Sequence, residues 1–491
     1  MTLAPLDLLV VIAYFAAVLA IGLWFGRGER NTHDFFLGAR RQPWLIVGLS
    51  IVATEVSAIT FINVPGDSFV GDWNYLQMYA GALLGRVVVI VVLLPAFYGG
   101  SVTTVYEYLG LRFGPATRTT ASLMFVASRV IGSGIRLLAA CLAMSIVFGW
   151  KLEWAIVGAA AVAAAYTVFG GIKAIIWTDA LQAGVFLAAG TAVLVFVFIA
   201  TPGTWAQNVS TAYEAGKLHT FTWGLDANNE KVFWVLLIST TVQNCAALGV
   251  DQDLTQRMLT CVDLRRGQRS VMFNAVLGLP VVCLFLLLGT MLSAYYVSGA
   301  AALPAEVMER PDRILPYFIA TSLPNGYGLR GLLCAGIFAA AMSSLDSALG
   351  ALSSTAVTDF YRPYCRRDAS EAHYLRVARV FTLLFGVLLA GVALAFVGYD
   401  QLLWQVFQWA GLFFGGMLGV FLLGATTRTR GRDAVNVIAM ISSVVILAAI
   451  KTYQERTGEV IIAWPWWVVI GTAWTYLLGA CCASTRGRSG T

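Results

Sequence analysis

Charged side chains are scarce in this chain. Asp, Glu, Lys and Arg make up 12% of its 491 residues, against about 25% in a soluble domain. A globule of this size cannot coat itself in water with so few polar groups. A soluble enzyme, a disordered chain and a nucleic-acid-binding protein are excluded together. Histidine is rarer still: His33, His219 and His373 are the only three, all in polar stretches between apolar runs. A histidine-based hydrolase or an intramembrane transition-metal site has almost nothing to work with. The eight cysteines form no Cys-x-x-Cys pair and lie mostly in or beside apolar runs. They read as reduced small hydrophobes, not as a disulfide scaffold.

Apolar residues are abundant, at 59%. A helix needs about 20 mostly apolar residues to cross a bilayer. Thirteen runs qualify, over 6–26, 43–65, 74–99, 120–149, 153–169, 174–201, 231–250, 270–298, 331–358, 376–398, 401–426, 433–451 and 462–482. None alternates with a period of two, so helices are expected and a β-barrel is not. The first run, Leu6 to Phe25, lacks a basic region before it and reads as a retained span. The expectation is an all-α polytopic membrane protein forming a single domain over 1–491 in the lipid bilayer. The stretches near 202–230 and 299–329 read as caps outside it.

The basic residues orient this array. Of the 32 Lys and Arg, 21 fall in one alternating set of loops, Arg257 among them, and 8 in the other. The positive-inside rule makes the first set cytoplasmic. Thirteen spans then put the amino terminus outside and the carboxyl terminus inside, in the plasma (inner) membrane.

Three arginines, Arg86, Arg129 and Arg136, remain within spans, with Glu55, Asp179 and Asp346. Ionisable groups in spans are costly and mark function by default. Arg129 and Arg136 are seven apart and share a helix face, and one of them is a candidate partner for Glu55. Asp179, close to an interface, reads equally as a helix N-terminal carboxylate. The second run, Val52 to Asp67, crowds small, hydroxylated and β-branched residues and ends on Pro65-Gly66. It is a poor continuous helix, and a broken helix at membrane depth is tolerated where it lines a cavity or binds an ion. The ninth run clusters Ser343, Ser344, Asp346 and Ser347 within little more than a turn. Adjacent hydroxyls facing carbonyls freed by a break supply what a hard monovalent cation takes.

These features resemble the sodium:solute symporter family, which includes sodium–glucose, sodium–proline, sodium–sialic acid and sodium-dependent monocarboxylate transporters. The resemblance spans nearly the whole chain. It is carried by Val56-Ser57-Ala58 through Pro65-Gly66, by Gly170-Gly171-Ile172-Lys173 through Trp177-Thr178-Asp179-Ala180-Leu181-Gln182, and by Asp251-Gln252 with Gln256-Arg257. The Ser343-Ser344 run, closing with Asp359-Phe360-Tyr361, completes it. It implies a LeuT-like inverted repeat of five plus five helices, over 43–201 and 231–426. An extra helix at 6–26 and two at 433–482 lie outside the core.

The resemblance further implies a sodium site on the carbonyls of Ala53, Val56 and Ala340 and the hydroxyls of Ser343 and Ser344. Asp179 and Ser347 match a second sodium site found in some members. Asp346 stands where a serine is usual, either strengthening that site or admitting a proton. The implied pocket for a small solute would draw on Glu55, Ser57, Thr60, Tyr75, Gln77, Tyr79, Arg136, Asn244 and Gln408. An intramembrane guanidinium suits a carboxylate, so Arg136 points to an organic anion such as a monocarboxylate or sialic-acid-like solute. Were Glu55 to pair with Arg136, a neutral sugar, a polyol or a proline-like amino acid would fit instead. Enzymatic chemistry is not expected, and a transport-inactive sensor is the remaining alternative outside transport.

Overall fold

A computed structural model of the chain describes residues 3–25, 31–56, 58–100, 102–399 and 402–483. The elements that build the bundle are helices. The chain opens with α1 (Pro5–Phe25), α2 (Trp44–Glu55), α3 (Ala58–Val70), α4 (Asn74–Gly100) and α5 (Pro115–Phe148). The 49-residue α6 (Leu152–Ala200), α7 (Phe233–Gly249), α8 (Gln252–Leu259), α9 (Leu264–Val297) and α10 (Leu329–Cys365) follow. The last are α11 (Glu371–Ala395), α12 (Leu402–Thr426), α13 (Asp433–Thr457) and α14 (Pro465–Ala480).

Among the described residues nine helices are long and apolar enough to span a membrane, or up to eleven when two bent pairs count as single spans. The expected thirteen do not appear as thirteen separate long helices, for two physical reasons. Runs five and six are continuous in α6, interrupted only at Gly171, where φ 51° and ψ −173° suit glycine alone. At 1.5 Å per residue α6 would extend about 73 Å, more than twice the hydrocarbon thickness of about 30 Å. Gly171 is therefore where the chain turns back. The last helix, α14, has 16 residues and falls short of a full crossing by itself.

The two bent pairs give the bundle its internal symmetry. α2 and α3 meet at 54°, and α7 and α8 at 59°. Each pair opens one of two successive groups, α2–α6 and α7–α12, as in transporters built from inverted repeats of discontinuous helices. The groups interlock: α9 packs on α2 and α3, α10 on α6, and α7 on α4. The second span does not end at Pro65-Gly66 as its sequence suggests. α3 runs through Pro65 to Val70, because proline removes only one helical N–H. A Cβ at Gly289 of α9 would lie 2.1 Å from the Pro65 carbonyl oxygen, so only glycine lets the two backbones approach this closely. Leu9, Leu23, Val387, Ile438 and Val445 are exposed on α1, α11 and α13, an apolar outer surface suited to lipid.

Candidate functional site

α2 ends where Val56 leaves helical geometry (φ −84°, ψ 77°) after its N–H closes a last bond to the Val52 carbonyl. Carbonyls in the final turn of a helix have no partner within it. One of them, Ala53, accepts a hydrogen bond from Ser343 Oγ on α10 at 3.1 Å. Ser343 and Ser344 also contact the Ala340 carbonyl, each at 3.4 Å. All five expected sodium ligands, Ala53, Val56, Ala340, Ser343 and Ser344, are buried. The broken second span and the hydroxyl-rich ninth, 290 residues apart at the Ser343–Ala53 bond, thus meet. Uncharged hydroxyl and carbonyl oxygens of this kind are ligands for a hard cation.

Beside this meeting point is a cavity of about 230 Å³. One water needs about 10–15 Å³ on this measure, so a small organic solute fits. Its lining includes Glu55, Thr60, Tyr75, Tyr79, Arg136 and Asn244, six of the nine pocket residues expected from sequence. Ser57 lies outside the described residues. Gln77 and Gln408 do not line the cavity. The Gln77 amide donates instead to Asn74 Oδ1 at 2.5 Å and to the Lys231 carbonyl at 2.6 Å, locking the start of α4.

The charges around the cavity are paired differently from the expectation. Glu55 binds neither Arg129 nor Arg136. Its Oε2 accepts from Arg86 Nη2 at 2.7 Å and from Asn274 Nδ2 at 2.9 Å. Arg129 pairs with Asp251 at 3.1 Å and with Asp253. Arg136 lines the cavity and makes no ion pair or hydrogen bond among the described residues. Arg86, Asn274 and Asp251 are members of this constellation that sequence reasoning left out of the pocket. The acid at Asp251 and the intramembrane Arg86 were visible, but the 31-residue separation of Glu55 and Arg86 gives no pairing signal.

A second polar cluster lies where a second sodium was expected. Asp179 and Ser347 do come together, but the guanidinium of Arg257 is bonded to both. Nη2 reaches Asp179 Oδ2 at 3.0 Å and also donates to Ser347 Oγ. Nε donates to Ser50 Oγ at 2.8 Å, and Nη1 to Asp253. Ser50 Oγ in turn donates to Asp179 at 2.6 Å. Arg257 is fully buried, so its place among the loop cations was wrong: all eight residues of α8 are buried. Asp346 adjoins this group: its Oδ1 accepts from the Ser347 backbone N–H at 2.6 Å and from Ser347 Oγ at 3.3 Å, and its Oδ2 accepts from Tyr166 Oη at 2.8 Å.

A helical bundle with two broken repeat helices, one ending at a buried oxygen cluster beside a polar cavity, has the architecture of a secondary transporter. The profile of the sodium:solute symporter family matches residues 35–431, and the chain belongs to that family. The sodium/sialic acid symporter SiaT of Proteus mirabilis (strain HI4320) is 30% identical over 446 residues, covering 90% of this chain and 88% of that one. Sodium-coupled monocarboxylate transporter 1 of Homo sapiens is 28% identical over 409 residues, covering 82% of this chain and 66% of its own.

The structure of a substrate-bound, outward-open sodium-coupled sialic acid symporter superposes with a TM-score of 0.87 at 27% identity, covering 98% of this chain and 99% of the other. Mhp1, a nucleobase-cation-symport-1 family transporter, gives 0.57 at 14% identity over 90% and 92% and shares the LeuT-like fold. The protein is an integral membrane, sodium-coupled symporter.

Proposed function

We propose that this symporter imports a small organic monoanion by alternating access, with Arg136 receiving the solute's carboxylate. The carrying observation is the pairing of charges at the cavity: Glu55 is matched by Arg86, and Arg129 is held by Asp251 and Asp253, while Arg136, in the field of Asp251, makes no ion pair among the described residues. An intramembrane guanidinium without an ion pair is costly, and a bound carboxylate relieves that cost through a planar pair of hydrogen bonds. A neutral sugar or zwitterion was the fitting solute only if Glu55 held Arg136, and Glu55 holds Arg86. Names of relatives, a sialic acid symporter and monocarboxylate transporters, support an anion.

Sodium is assigned to the carbonyls of Ala53, Val56 and Ala340 with the hydroxyls of Ser343 and Ser344. Bound there it bridges the two repeats and holds the form open to the outside. Asp179 and Ser347 take a second cation only when Arg257 releases them, and Asp346 is the candidate proton carrier. The basic loops orient the chain with its amino terminus outside and carboxyl terminus in the cytoplasm, in the plasma membrane, as a single transport domain. Uptake into proteoliposomes with and without sodium in the external buffer tests the reading. Sodium-dependent accumulation of an organic acid, and not of its neutral amide, is the expected result; preference for the amide refutes it.

A further inference from the structure

Glu55, Arg86 and Asn274 form a closed ring of hydrogen bonds. Besides the two bonds that Glu55 Oε2 accepts, Arg86 Nε donates to Asn274 Oδ1 at 2.9 Å. The ring joins α2, α4 and α9. Asn274 is fully buried, while the side chains of Arg86 and Glu55 are 4% and 20% exposed. A second contact reinforces it: the Arg86 guanidinium lies 5.5 Å from the Tyr79 ring centre, and Tyr79 Oη donates to the Ala275 carbonyl at 2.7 Å. Neutralising Glu55 needs only the arginine. The asparagine adds geometry, because it binds both partners at once and meets the same Glu55 oxygen as the arginine.

What the ring holds is the last residue before the break in α2. Glu55 sits between Ala53 and Val56, whose carbonyls are the sodium ligands of the preceding section. Helix-end carbonyls are not held by the helix itself, so another restraint must fix the direction in which they point. On the α10 side the Ser343–Ala53 bond does this. From α4 and α9 the ring restrains Glu55.

We propose that the Glu55–Arg86–Asn274 ring is a positioning element for sodium, holding the turn that carries the Ala53 and Val56 carbonyls in its cation-binding arrangement. The proposal rests on the sodium assignment made above. Arg86 and Asn274 act through the backbone, and Asn274 lines neither the sodium ligands nor the cavity. Because Glu55 also forms part of the cavity wall, the same ring places the solute's surroundings and the cation's ligands on one rigid unit.

Purified protein titrated with sodium chloride against a choline chloride balance, read by tryptophan fluorescence and by thermal unfolding, tests it. Asn274→Ala is expected to raise the half-saturating sodium concentration about tenfold, with full response recovered at high sodium. Its unfolding temperature in choline alone is expected to stay near that of the wild type. Glu55→Gln, which keeps the shape and drops the charge, is expected to give the same rise and serves if Asn274→Ala does not fold. Ser343→Ala separates the two assignments. Wild-type sodium binding in Ser343→Ala overturns the sodium site itself. Weakened binding in Ser343→Ala beside unchanged half-saturation in both ring variants overturns the ring alone. A lower unfolding temperature in choline with unchanged sodium affinity makes the ring a structural brace, which also overturns the proposal.

Discussion

Replacing Arg136 by Gln removes one positive charge from the cavity wall and keeps a side chain able to donate one hydrogen bond. In the wild type a solute carboxylate would receive two parallel bonds from the guanidinium, and hydrogen bonds to charged groups contribute about 1.5–3 kcal/mol each. Glutamine retains part of one. The net loss is about 3 kcal/mol, or about 150-fold in the half-saturating concentration of an acid. No neighbour can compensate, because Arg86 is held by Glu55 and Asn274 and Arg129 by Asp251 and Asp253. The assay is initial uptake in proteoliposomes at saturating sodium, with N-acetylneuraminate and lactate as acids and their primary amides as neutral counterparts. The acid is expected to lose its advantage over the amide in Arg136→Gln, while the amide changes by less than about threefold. An acid transported with unchanged half-saturation by a correctly inserted Arg136→Gln refutes the charge-balance argument.

The remaining predictions concern other parts of the molecule. Ser343→Ala and Ser344→Ala should each weaken sodium activation far more than solute recognition, measured as separate half-saturations in uptake. Arg257→Leu leaves Asp179 buried without its cation, while Asp253 keeps Arg129, a change that costs about 3–5 kcal/mol; detergent-solubilised thermal unfolding should show a lowered midpoint, and an unchanged one refutes the buried network. Gly289→Val places a Cβ within 2.1 Å of the Pro65 carbonyl and should abolish membrane expression, whereas Cys283→Ala on the same helix should not. Uptake is expected to vary with pH, and Asp346→Asn to flatten the profile; a pH-independent wild type removes the proton from Asp346.

Much of this was readable in the residues themselves. The crowding of small and hydroxylated residues from Val52 to Asp67 announced a break, and Ser343-Ser344 announced its partner. The break falls at Val56 in the structure, and the two segments touch. Pairing of charges was not readable. Arg86, Arg129 and Arg136 all lie on apolar helices whose faces differ little in polarity, so sequence periodicity cannot say which way each turns. Rotations of a few tens of degrees decide whether Glu55 meets α4 or α5. Arg257 was misread for a related reason. Its surroundings, Asp251 and Asp253 with Gln252 and Gln256, look like a polar loop, yet they are buried together, because the two acids are paired with arginines and the two amides bond backbone groups of Thr103, Val105 and Phe36.

The guanidinium that Arg257 lodges between Asp179 and Ser347 has an electrical consequence. A fixed charge belonging to the protein does not travel with the cargo. If the proposed cycle carries one sodium with one carboxylate while the arginine stays in place, the loaded carrier crosses with no net charge. Accumulation is then set by the sodium concentration ratio alone, and imposing a voltage across the vesicle leaves it unchanged. A cycle in which the arginine swings aside for a second cation, or in which Asp346 carries a proton across, would make the carrier electrogenic.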